Sequence, residues 1–111
     1  MRIRMTVAYN GKGYCGWQKQ SHGPTPSIQQ VLEKALSQLF QEEVSLFASG
    51  RTDAGVHALA QVCHFEVSDK HRSKLATWDL RWSLRSVLPP SIVVKNLWLA
   101  AGVSFHSVGH P

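Results

Sequence analysis

Arg2-Ile3-Arg4-Met5-Thr6-Val7-Ala8-Tyr9 is the stretch on which the fold turns. It alternates strictly. Ile3, Met5, Val7 and Tyr9 fall on one face, and Arg2, Arg4, Thr6 and Ala8 on the other, which is the pattern of a half-buried strand. A loop rich in turn residues follows, from Asn10-Gly11 to Pro26. Thr25 then offers an N-cap and Pro26 a first helical position, so a helix is predicted over 26–40. Ile28, Val31, Leu32, Ala35, Leu36, Leu39 and Phe40 keep its i, i+3, i+4 rhythm.

Further along, Val44–Ala48 reads as a short strand. Ser49–Val56, with two glycines, reads as a loop. His57–Val67 reads as a long strand with Gln61, Cys63, Phe65 and Val67 on one face and Val62, His64 and Glu66 on the other. Ser68–Lys74 is polar and reads as a connection. Thr77 can cap a second helix that runs to about Leu88, where Pro89-Pro90 stops it. Leu80, Leu84, Val87 and Leu88 form its apolar stripe, with Trp78, Trp82 and Arg85 on another. Ile92–Ala100 is the last strand. The order strand-helix-strand-strand-helix-strand is that of an α+β, ferredoxin-like fold: a four-stranded antiparallel sheet with both helices on one face. Arg2 and Arg4 then lie on the face left for water, another domain or RNA.

The chain has 111 residues, enough for one domain. Its hydrophobic fraction of 43% and charged fraction of 17% are globular values. Ile92–Val94 and Leu97–Ala101 are far shorter than the roughly 20 apolar residues a bilayer requires. The basic start runs into alternation and not into a signal-peptide core. A cytoplasmic protein without membrane contact is expected. Cys15 and Cys63 form no C-x-x-C pair and read as reduced thiols. The six histidines make no zinc spacing. Twelve Lys and Arg face seven Asp and Glu. Residues 1–32 hold Arg2, Arg4, Lys12 and Lys19 and no acid, a distribution suited to a polyanion such as nucleic acid, although ordinary solubility charge reads the same way.

Two strings bear on chemistry. Ser49-Gly50-Arg51-Thr52-Asp53-Ala54-Gly55-Val56-His57-Ala58 joins two strands and places Arg51 two residues from Asp53. A turn explains such a string, because Asp accepts backbone N–H bonds and Gly supplies positive φ. A nucleophilic carboxylate held ionised by a neighbouring guanidinium explains it too. Tyr14-Cys15-Gly16-Trp17-Gln18 either plugs the end of the core or offers flat side chains to unpaired bases. The plug is favoured for Trp17, and both readings stay open for Tyr14.

Gly50-Arg51-Thr52-Asp53-Ala54-Gly55-Val56-His57-Ala58 resembles the signature of the TruA-type tRNA pseudouridine synthases. Collinear support comes from Tyr9-x-Gly11, Tyr14-x-Gly16-Trp17-Gln18, Ser27-x-Gln29, Gln61-Val62-x-His64-Phe65, Leu88-Pro89 and Phe105-His106. The resemblance implies that Asp53 is the catalytic nucleophile that isomerises uridine to pseudouridine in the anticodon arm of tRNA, without metal or cofactor. It implies that Arg51 pairs with that carboxylate. Addition to the ribose, addition to the base and help with proton abstraction all stay open for Asp53. The RNA-binding candidates are Arg2, Arg4, Lys12, Tyr14, Trp17, Gln18, Lys19 and Arg85.

The chain departs from the family at Arg85, where Asn is usual, and at Phe105-His106-Ser107-Val108, where the family reads Phe-His-Ala-Arg. Members are roughly twice as long and typically dimeric. The chain therefore resembles an N-terminal, aspartate-bearing half, and is expected to be inactive alone. The alternatives are a non-catalytic RRM-like RNA-binding module and a small-molecule-binding ferredoxin-like domain. An RRM carries an aromatic-rich string on a central strand, whereas His57–Val67 has Phe65 alone, pointing inward.

Overall fold

In the computed structural model the described residues are 1–14, 16–17, 25–48 and 58–100, with the backbone alone for 58–60. The elements are β1 (Arg2–Tyr9), α1 (Ile28–Phe40), β2 (Leu46–Ala48), β3 (Ala58–Glu66), a 3-10 turn (Asp69–His71), α2 (Arg72–Leu75), α3 (Leu80–Val87) and β4 (Ile92–Leu99). The strands form one sheet in the order β2-β3-β1-β4, every pair antiparallel. That is the ferredoxin-like arrangement anticipated from the alternation and the element order.

Ile3, Met5 and Val7 are fully buried, and they share one core with Leu32 and Leu36 of α1 and Leu80 and Leu84 of α3. Arg2 and Arg4 are exposed on the opposite face. Cys63, Phe65 and Val67 face the core as expected from β3, and burial pushes the Cys63 thiol up to about 12. No helix among the described residues is long and apolar enough to cross a membrane.

Element boundaries differ from expectation for identifiable reasons. Helix α1 starts at Ile28, not Pro26. Ser27 caps it: its Oγ accepts from Gln30 N at 3.1 Å while Gln30 Oε1 accepts from Ser27 N at 2.9 Å. This reciprocal box satisfies two orphan donors, which Thr25 could not do from two residues upstream. Helix α3 starts at Leu80, with Asp79 and not Thr77 as its cap; Asp79 Oδ1 accepts from Trp82 N at 2.9 Å. Thr77 donates its hydroxyl back to Lys74 O, within the preceding turn. The polar connection after β3 contains the 3-10 turn and α2, anchored by the burial of His71 and Leu75. Four helical residues are too few to show a period. Strand β2 has three residues, so Val44 is buried ahead of it rather than within it.

Candidate active site

Tyr9, the last residue of β1, pairs with Ala58 on one side and Ile92 on the other. The segment after β1 and the segment that enters β3 are therefore neighbours at this end of the sheet. Ala48, the last residue of β2, lies opposite Cys63, in the middle of β3. In sequence, residues 49–57 join Ala48 to Ala58. Arg51 and Asp53 belong to this segment and lie outside the described residues, as do Gln18 and Lys19. The described residues that flank this segment, Ala48 and Ala58, both belong to the sheet.

The anchor at Ala48 is built by α1. Glu33 Oε2 accepts from Leu46 N at 2.8 Å, and Gln29 Nε2 donates to Leu46 O at 2.9 Å. Two side chains one helical turn apart thus hold both backbone groups of the first residue of a three-residue edge strand, which has few ladder bonds of its own. In the sequence Glu33 counts only among the seven acids. The pair was visible as an i, i+4 spacing, but its partner strand was not.

The turn after β1 lies beside the Ala58 end, since Tyr9 pairs with Ala58. Asn10 N donates to Ser91 O at 2.9 Å, Asn10 Oδ1 accepts from Lys12 N at 3.0 Å, and Tyr14 N donates to Gly11 O at 3.1 Å. Gly13 sits at φ 88, which the turn requires. Tyr14 is half-buried with its hydroxyl 2.7 Å from Ser91 Oγ. Gly16 O and Trp17 O accept from Ile28 N and Gln29 N at 3.0 Å, tying the loop to the start of α1.

Trp17 needs correction as an RNA-binding candidate. It is 2% exposed, and its ring packs 5.8 Å from that of Tyr9. An indole enclosed in the core leaves no face for a base, so the core-plug reading applies. Lys12 is exposed on the turn. Arg85 is exposed on α3, where with Arg81 it borders a groove of about 430 Å³ over Leu88, Ile92 and Val93. Arg4 lies in the row beside the Ala48 anchor, opposite His64, while Arg2 sits two residues further out and pairs with Glu66 at 3.8 Å. The described candidate cations, Arg2, Arg4, Lys12 and Arg85, are thus spread over the sheet face turned from the helices, the turn after β1 and α3. Burial, then the charges of Arg2 and Arg4, hold the His64 imidazole below its usual range. Among the described residues no three His, Cys, Asp or Glu side chains group to hold a metal.

A family model for tRNA pseudouridine synthase matches residues 5–95. The tRNA pseudouridine synthase A of Bdellovibrio bacteriovorus is 56% identical over 106 residues, spanning 96% of this chain and 40% of that protein. That of Akkermansia muciniphila is 48% identical over 95 residues, spanning 86% of this chain and 34% of its own length. That of Caldicellulosiruptor bescii is 47% identical over 94 residues, spanning 85% and 36%. This chain therefore covers 34–40% of the length of these relatives. With a match running through all four strands and across the Arg51–Asp53 segment, the chain belongs to the tRNA pseudouridine synthase family.

Proposed function

We propose that this chain supplies the aspartate-bearing part of a tRNA pseudouridine synthase that acts on uridines of the anticodon arm. The observation that carries the reading is Gly50–Ala58, which contains Asp53, in a chain 56% identical to a tRNA pseudouridine synthase A. In the proposed reaction the N1–C1′ bond of uridine breaks, the freed uracil turns, and C5 bonds to C1′. C5 gives up its proton and N1 takes one up, so substrate and product are isomers. Asp53, kept ionised by Arg51, is the nucleophile; the bond its carboxylate forms to the substrate breaks again before the product leaves, so the carboxylate is regenerated and the net change stays an isomerisation. The target base must leave its stack at a cost of about a few kcal/mol, which favours a loop or a weak stem end. Lys12, Tyr14, Gln18, Lys19, Arg85, Arg4 and Arg2 are the proposed RNA contacts. A homodimer of the full-length protein and a cytoplasmic site of action belong to the same proposal.

The test separates binding from chemistry. A protein in which this chain is joined to the remaining length of the Bdellovibrio relative is compared with its Asp53→Asn form. Affinity for unmodified tRNA is expected to stay within about twofold, while pseudouridine formation, followed by mass spectrometry after carbodiimide labelling, falls by at least about 10³. Equal turnover by the two proteins would remove Asp53 from the chemistry.

A further inference from the structure

The sheet face turned away from the helices carries an ordered row. Phe47 pairs with His64, His64 with Arg4, and Arg4 with Trp98, so four residues line up across all four strands. Directly paired residues project to the same side. Phe47 is 56% exposed, and its ring is stacked on the His64 imidazole, with centroids 5.5 Å apart and planes 24° from parallel. Arg4 is exposed and has no carboxylate within ion-pair distance among the described residues. Trp98 is half-buried on the edge strand. The flanking rows hold Arg2 with Glu66, and Val62 with Thr6 and Asn96.

Single exposed apolar residues need no explanation. A row of two aromatic rings, an imidazole and an arginine on a rigid sheet does. Among the described residues two arginines stand here against one acid, Glu66, so the face favours an anionic partner. A second copy of this chain would bring its own Arg2 and Arg4 against the first pair, and like charges in an interface are costly. A partner that is anionic and also has flat apolar faces is an unpaired nucleic-acid strand, whose bases stack on aromatic side chains while its phosphates meet cations.

We propose that the Phe47–His64–Arg4–Trp98 row is a platform for single-stranded RNA, with one base stacked on the Phe47–His64 pair and a neighbouring phosphate held by Arg4 and Arg2. Phe47 stands two residues before residue 49, so the platform adjoins the segment that carries Arg51 and Asp53. It extends the RNA path beyond the target nucleotide. The proposal rests on the reading above only for its choice of RNA as ligand.

The test is fluorescence anisotropy of the 111-residue chain with a labelled pyrimidine-rich single-stranded RNA, beside a blunt duplex RNA of the same length. Phe47→Ala is expected to weaken single-strand binding at least about fivefold, and Phe47→Trp to restore it to within about twofold. Arg4→Gln should weaken binding and flatten the slope of log K against log salt by about 0.7. Trp82→Ala, on the exposed side of α3, should leave affinity within about twofold. Phe47 is exposed, so its variants keep the core, which circular dichroism checks. Single-strand affinity unchanged by Phe47→Ala would overturn the platform. So would a variant that changes the sedimentation coefficient and not RNA affinity, because the face would then be a contact between protein chains. Asp53-dependent turnover in the completed protein stands or falls independently of either result.

Discussion

Gln41 closes α1 in the left-handed region, at φ 56 and ψ 38. A residue with a Cβ is strained there by about 1–2 kcal/mol, whereas glycine is not. Glycine loses more backbone entropy on folding, about 0.5–1 kcal/mol. The balance predicts that Gln41→Gly stabilises the chain by about 0.5–1 kcal/mol, read as a higher urea midpoint at unchanged m-value. The end of α1 at Phe40 is legible where its apolar rhythm stops, but without a glycine to mark it the left-handed cap at Gln41 is not. Trp17 shows the opposite limit. An aromatic in a loop fits a base or a core equally well, and its contact with Tyr9 decides the matter. Ser27 was legible, because Ser27-x-x-Gln30 is the spacing of a capping box; the nearby Thr25-Pro26 pair offered a competing start.

At the scale of elements, the grip of α1 on β2 fixes the strand that residues 49–57 follow in sequence. Glu33→Ala removes an ionised acceptor from Leu46 N, and a hydrogen bond to a charged group contributes about 1.5–3 kcal/mol. The site is part-exposed, so a loss near about 1–2 kcal/mol is expected in chemical denaturation, with Glu33→Gln losing roughly half of that. In the completed enzyme the same change should lower kcat, because it loosens the mount of Asp53, and should also raise KM, because Phe47 of the proposed platform follows Leu46 on the same strand. An unchanged stability would show that the three ladder pairs of β2 suffice. Sequence periodicity reveals β1, α1, β3 and β4 because each is at least eight residues long and one-sided. It misses α2 and overextends α3, which starts at Leu80 and not just after Thr77, where a short helix or a choice between two caps leaves no period to count. The pairing of Glu33 and Gln29 with Leu46 is a tertiary contact that no local pattern records.

At the scale of the molecule, alternation and element order suffice for the ferredoxin-like sheet, since few connections bring these four strands into one antiparallel sheet with both helices on one side. The site was legible in its residue types, through Gly50–Ala58 and the collinear loop after β1, and the fold supplies the neighbouring anchors at Tyr9, Ala58 and Ala48. What the sheet does not supply is an enclosure. Among the described residues no element covers the sheet face turned away from the helices, and catalysis needs the reacting atoms held closely and water excluded. The central claim is that Asp53 acts in a tRNA pseudouridine synthase built from this unit together with the further length its relatives have. The most direct measurement is tritium release from unmodified tRNA carrying uridine tritiated at C5, because C5 loses its hydrogen only when it joins C1′. The account predicts sustained release by the chain joined to the remaining length of its Bdellovibrio relative, and background release by the 111-residue chain alone and by the joined Asp53→Asn protein. Robust release by the 111 residues alone, or by the Asp53→Asn protein, would contradict it.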